Sequence, residues 1–549
     1  MHEIIHLSLS AQANHLTTHF YNAQDSYFVY DDRTVSHVDP TVLFRAGLGS
    51  DMRTSTFTPR ALIWDMRGGY GSMKKANALY SDGFDDNTDA SDARNNALVW
   101  DQGNKPLKVI QEDQVAANEY QKALDTGKDV IEKAAALTPE TTRYWSDYNN
   151  IYYNPKSFHQ LNNWEYDPVR FPRGKPRGEE PDGGRQFVDY ETGVAEFTEM
   201  NVSSEDAYLE HVFRPALEEC DSLSGITIST EADSAWGGFT AKVLEELREE
   251  YIPKTPVFTW AVYDGKVGAK IDHTTSYKNI KQSRQQVLSR IKTTTALARD
   301  STLFIPISKP QASILKNYDA ESNWHSTALL SLPFETISLL SSLRSEKRVS
   351  MQTVAEYLQC GSTRNIVSST EAAIVGPMPS SLADLHKRKK LVFDYSGSVF
   401  HDANAPAPHY FSKLGTIRPP STTASPQPNS LSLDPAGDHH MIWEELFKAS
   451  QLQGDGTAAA NLAEVNCPQP FSLQKSFPAG ALDLDSSDSV YASLGVTTAP
   501  RRQLREMNTF VSKFVKTADE GRDELKEETS EMAEQYEWGW EESEESDDE

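Results

Sequence analysis

Residues 220–262, CDSLSGITISTEADSAWGGFTAKVLEELREEYIPKTPVFTWAV, constrain the fold more than any other stretch of this chain. Gly225 to Thr230 reads as a buried strand, and the paired glycines Gly237 and Gly238 follow in a loop. Val243, Leu244, Leu247 and Tyr251 share one face of a helix from about Thr240 to Tyr251, with Pro253 marking its end. A second β-rich run, PVFTWAV, starts at Pro256. Strand, helix and strand in that order make a parallel, right-handed β-α-β unit. The same frame is used to hold phosphates, whose oxygens face the free N–H groups at the helix start.

The pattern recurs. Ile4, Ile5, Leu7 and Leu9 mark an opening strand, and Leu16 and Phe20 a helix behind it. ALIWDM from Ala61 is another strand, running into RGGYGS, where Gly68, Gly69 and Gly71 make a tight loop. Residues 109–137 and 206–219 read as helical, and 154–200 as a polar insertion rich in Pro, Gly and Arg that is expected to be mobile. Repetition of strand, loop and helix indicates an α/β sheet with helices on both faces. The expected organisation is an α/β domain over 1–300 and a second, smaller α/β domain over 301–520. That second domain shows helical patterns near 326–344, near 350–358 and from about 500, a strand from Lys390, and a Pro/Ser-rich connector at 418–436. An amphipathic helix with Ile442, Trp443, Leu446 and Phe447 is expected after Asp438. The last 24 residues hold 12 acids and one lysine, so 521–549 is expected to be a disordered acidic tail.

Acids outnumber bases by 80 to 53, and the net charge of −27 argues against a broad nucleic-acid or anionic-lipid footprint and for basic partners. The three cysteines, Cys220, Cys360 and Cys467, lack CxxC spacing, which disfavours a disulfide framework or a zinc site and fits a reducing compartment. The N-terminus has neither a signal-peptide nor a transit-peptide pattern, and no run is apolar enough to span a bilayer; the expectation is a cytoplasmic protein with at most peripheral membrane contact. His6 reads as a core histidine, His439 and His440 as surface or capping residues, and the SxxK spacing of Ser72 and Lys75 as coincidence.

Three stretches together resemble tubulin, and more closely the tubulin-related Misato family of mitochondrial inheritance proteins. MHEIIHLSLSAQANHLTTHFY matches the tubulin opening at Met1, Glu3, Ile4, His6, Asn14 and Phe20; PRALIWDM resembles PRAVFVDL, with Asp65 at the matching acid; and EECDSLSGITI to LREEY resembles the strand and helix around tubulin's glycine signature. Weaker echoes lie in YDAESNWH from Tyr318 and LADLHK from Leu382. The resemblance implies a tubulin-like fold and a degenerate nucleotide pocket formed by Gln12, Asn14, Asp65, Gly68, Gly69, Gly71, Gly237 and Gly238.

Departures from the tubulin pattern argue against turnover. ADSAWGGF stands where tubulin has GGGTGSG, so Asp233 brings negative charge and Trp236 bulk to the phosphate position. Ser10 and Ala13 replace two glycines, and Gln12 lies one position from tubulin's glutamine. Arg67 and Lys387 stand where tubulins carry acids, and a cation at the second position cannot serve as the base that orients water. The glycines of RGGYGS have a bland alternative as a sharp turn, and Gly237 and Gly238 as a close helix contact. The resemblance implies a non-catalytic protein of mitochondrial distribution, morphology and DNA inheritance, with protein partners of cytoskeletal or chaperone kind, at the outer mitochondrial face and in the cytoplasm. The alternatives are a GTP-binding switch or polymerising GTPase, and a partner of the tubulin-folding or microtubule machinery.

Overall fold

The computed structural model describes residues 2–29, 36–48, 55–73, 115–179, 185–204, 207–264, 277–310, 315, 317–344, 348–376, 388–396, 400, 408–421, 461–482, 484–516 and 521–538. Its first half alternates strand and helix. β1 (Glu3–Leu9), α1 (Ala11–Asp25) and the short α2 (Pro40–Leu43) lead to the hairpin β2 (Phe44–Leu48) and β3 (Ser55–Pro59), then β4 (Ala61–Arg67). α3 (Glu119–Thr126), α4 (Val130–Ala135), β5 (Phe158–Asp167), β6 (Phe171–Pro176), α5 (Tyr190–Ser203), α6 (Tyr208–Val212) and α7 (Arg214–Glu218) follow. β7 (Leu223–Glu231), α8 (Ala235–Glu246), β8 (Val257–Tyr263), α9 (Tyr277–Asp300) and β9 (Leu303–Ser308) complete the layer.

These strands form one sheet in the order β6-β5-β4-β1-β7-β8-β9, parallel except for β6. β1 and β8 are buried at every position, as expected of central strands covered on both faces. The boundary expected at residue 300 falls before β9, which pairs in parallel with β8 and so belongs to the first sheet.

The second half contains α10 (Asn323–Ser338), α11 (Met351–Gln359), β10 (Ser369–Val375), β11 (Lys389–Asp394), β12 (Tyr410–Arg418), β13 (Asn461–Asn466), β14 (Ser489–Thr497), α12 (Ala499–Phe514) and α13 (Arg522–Gln535). Its sheet runs β11-β10-β14-β12-β13, with β12 and β13 parallel and the other pairings antiparallel. α10 is buried along almost its whole length between the layers, and one apolar core runs from Ile4 to Tyr536. Arg418 at the end of β12 reaches across this core. Its Nη1 lies 2.7 Å from Oε1 of Glu335 on α10, its Nη2 donates to the Tyr27 hydroxyl, and Tyr27 in turn donates to Glu335.

Several expectations are corrected. The insertion at 154–200 is ordered: β5 and β6 extend the first sheet and α5 packs on α8, because Leu161, Trp164, Phe197 and Met200 supply a buried stripe within the polar sequence. Of the helix expected over 109–137, residues 109–114 lie outside the described residues, and the remainder holds two short helices broken at Gly127, whose φ of +66° ends α3. The connector expected from 418 starts later, since Arg418 is still strand; 422–460, with His439, His440 and the amphipathic run, lies outside the described residues.

The acidic tail is not disordered from 521. Leu525, Thr529 and Ala533 recur every fourth residue, are buried together with Tyr536, and seat α13 against α12. Counting charge alone missed that stripe; residues 539–549 lie outside the described residues. No helix among the described residues is long and apolar enough to cross a membrane.

Candidate functional site

Three turns meet at the carboxyl end of the parallel strands, where open α/β sheets place their ligands. They follow β1, β4 and β7, and they carry every residue the sequence put forward.

At the first turn, Ser10 caps α1 by accepting from the Ala13 amide at 3.0 Å, with φ at 132° and ψ at 159°. That backbone region is proper to glycine, and Ser10 stands where tubulin has one. Asn14, one turn into α1, accepts from Ser8 Oγ at 2.7 Å and donates through Nδ2 to the Trp64 carbonyl and to Oδ2 of Asp65, both at 3.0 Å. Gln12 is buried beside it, and its Nε2 has no hydrogen-bond partner. His6, behind this group, is a core histidine held by Ser229, and burial pushes its pKa down to about 3.

At the second turn, Asp65 is 1% exposed. Oδ2 accepts from Asn14 and from Trp145 Nε1 at 3.1 Å, and Oδ1 accepts from the Met66 amide at 2.8 Å. Burial raises its carboxyl to about 7 against the pull of these donors, among which no cation stands. The oxygens that would face a hydrated Mg²⁺ are thus turned to the protein. Gly68 and Gly71 have φ of 81° and 56°, and a Cβ on Gly69 would strike the Asp65 carboxyl. Amides of the loop bond within it: Gly69 to the Met66 carbonyl, Gly71 to Gly68 and Met73 to Tyr70. RGGYGS is a sharp turn folded onto its own aspartate.

At the third turn, α8 starts at Ala235 rather than near Thr240, so Gly237 and Gly238 lie inside the helix. A Cβ on Gly238 would run into the Tyr190 carbonyl of α5, and one on Gly237 into Thr293 of α9. The glycines therefore serve close helix packing. N–H groups at the helix start are engaged by the chain itself: Ala235 donates to the Phe187 carbonyl at 3.3 Å and Trp236 to Ser234 Oγ at 3.4 Å. Asp233 lies 3.1 Å from Arg290 Nε and accepts the Asp264 amide at 2.8 Å; the side chains of this ion pair are 6% and 7% exposed. Trp236 is buried against Phe187 and Phe239.

The structure brings Gln12, Asn14, Asp65, Gly68, Gly69 and Gly71 together and places Gly237 and Gly238 in a helix interface. Sequence reasoning missed Trp145, Tyr148 and Arg290. Trp145 and Tyr148 occupy a 3₁₀ turn, WSDY, that lies against α1, where the Tyr148 hydroxyl meets His15 Nδ1 at 2.9 Å and its ring packs on His19 and Trp324. An aromatic pair in an otherwise polar run was the available signal. Arg290 had none, since its partner lies 57 positions away in sequence. Lys387 is outside the described residues.

Comparison with known proteins agrees with this geometry. The Misato Segment II tubulin-like domain matches residues 2–126, and a tubulin domain matches residues 134–343. Protein DML1 of Yarrowia lipolytica is 34% identical over 557 aligned residues that cover all of both chains. Protein dml1 of Aspergillus clavatus is 31% identical and protein dml-1 of Neurospora crassa 29% identical, each over 98% of both chains. Full-length similarity, the two domain matches and a sheet-edge site built on Asn14 and Asp65 lead to one assignment: the chain belongs to the Misato/DML1 family of tubulin-like proteins.

Proposed function

We propose that this protein is a non-catalytic, tubulin-like interaction protein that supports mitochondrial distribution, morphology and inheritance of the mitochondrial genome, acting from the cytoplasm and the outer face of the organelle. The observation that carries the non-catalytic part is the turn after β7, where the Asp233–Arg290 pair and the capped start of α8 take up the space and the N–H donors a phosphate needs. The three hydrogen bonds that Asp65 accepts from the protein itself support the same reading. The mitochondrial part rests on the resemblance to Misato-family proteins.

Two experiments test the two parts. Calorimetry and thermal melts with GTP and Mg²⁺ should show no saturable heat and no stabilisation at millimolar nucleotide, because a ligand that binds the native state must stabilise it. A saturable isotherm would establish the GTP-switch alternative. Acute depletion in cells should fragment or misplace mitochondria and reduce transmission of their DNA; normal networks and normal transmission would overturn the mitochondrial role.

A further inference from the structure

We propose that the β5–β6 hairpin is a docking surface for an acidic, carboxylate-rich segment of a protein partner. This deepens the interaction-protein reading by naming the chemistry of a partner. In a chain where acids outnumber bases by 80 to 53, residues 165–177 reverse the balance with four cations to two acids. The side chains of Arg170, Arg173 and Arg177 are exposed and have no hydrogen-bond or ion-pair partner among the described residues. Several exposed arginines elsewhere are engaged, Arg214 by Glu210 and Glu218, Arg299 by Glu528 and Arg502 by Glu506, and the described residues show no second group of three free ones so close in sequence. Next to Arg170, Val169 at the hairpin tip is 62% exposed.

The backbone that carries these groups is held in place. Asp167 accepts the amides of Val169 and Arg170 at 2.8 and 3.0 Å, which fixes the tip, and Lys175 bridges to Glu165 at 2.9 Å. Gly174, at φ 71°, lies against Met66 of β4, and Phe187 donates its amide to the Arg173 carbonyl at 3.0 Å while packing on Trp164. Guanidinium forks carried on an ordered hairpin suit bidentate capture of carboxylates, and an ordered backbone lowers the entropic cost of binding. An exposed valine beside them suits an apolar residue within an acidic run.

Range decides between an acidic peptide and an anionic membrane. Over a Debye length of about 8 Å at physiological salt, a short peptide meets only the hairpin. An extended anionic bilayer also meets the rest of a surface with net charge −27 and is repelled by it.

Full-length protein is titrated into a fluorescein-labelled peptide in which glutamates alternate with serines around a central leucine, and anisotropy is read at low and near-physiological salt. The expected result is saturable, salt-sensitive binding that the matching glutamine peptide lacks. Arg170→Gln, Arg173→Gln and Arg177→Gln combined should weaken it by about tenfold or more, and the three Arg→Lys changes, which keep charge and lose the fork, by less. Because these side chains lack internal partners, melting temperature should not move, which separates lost binding from lost folding. Absence of peptide binding, equal binding by the Gln variant, or arginine-dependent sedimentation with phosphatidylserine vesicles that the peptide does not compete would each overturn the proposal. Such a failure removes the hairpin surface and leaves the mitochondrial role to the depletion experiment, so the two are read apart.

Discussion

The turns after β1 and β7 stand side by side at one sheet edge and have departed from a phosphate-binding loop in opposite ways. After β1 the glycine is gone and its backbone conformation remains, with Ser10 at φ 132°. After β7 two glycines remain and their loop conformation is gone, with Gly237 and Gly238 wound into α8 against α5 and α9. Residue identity and backbone role have separated. A glycine in sequence is therefore evidence for close approach of something, and the structure decides whether that is a ligand or another helix.

The sharpest test of the β7 turn is Arg290→Met, which strands the buried carboxylate of Asp233 and should destabilise by about 3–5 kcal/mol in urea melts, with partial recovery when Asp233→Asn is added. Full stability of the single variant would mean that the pair does not fill the turn. Next comes the β4 turn that the β1 helix braces. Asp65 titrates at about 7 when folded and at about 3.9 when unfolded, so between those values the native state keeps a proton the unfolded chain has lost. Stability from this carboxyl is complete below the unfolded value and is lost as pH rises through the folded one. Asp65→Asn should remove a loss on the order of 2–4 kcal/mol between pH 4 and 8, read as the difference between the two proteins' melts across that range. Glu231 and Asp147, whose carboxyls burial also raises, stay in both proteins and cancel from the comparison. The smallest expected effect has the opposite sign. Ser10→Gly should stabilise by about 1 kcal/mol, since relief of the strained backbone outweighs the few tenths lost with the serine cap. Destabilisation would show that the cap dominates.

The first sheet was legible because its signal is local: the apolar runs at Ile4, Ala61, Gly225 and Val257 became β1, β4, β7 and β8 with shifts of a few residues. Asn14 and Asp65 were legible through family likeness, and they do meet, at 3.0 Å. What closes the site was not legible. Trp145 reaches Asp65 across 80 positions and Arg290 reaches Asp233 across 57, and no periodicity reports such pairs. Order in 154–200 and in α13 was lost for a different reason. Average polarity masked a few well-spaced apolar residues, Leu161 and Trp164 in one and Leu525 and Ala533 in the other, which suffice once a neighbouring surface receives them.

The buried guanidinium of Arg418 has a consequence for how the molecule comes apart. It ends a strand of the second sheet, yet its hydrogen bonds run to Glu335 in the helix between the layers and to Tyr27 just beyond the first helix, as well as to the Gln469 and Pro470 carbonyls. Separating the layers would break that ion pair, the Tyr27 hydrogen bond and the shared apolar core in a single step. Loss of contact between the sheets is therefore tied to opening of the whole, and amide protons of α1 and β12 should share one cooperative exchange event although nearly 400 residues of chain lie between them.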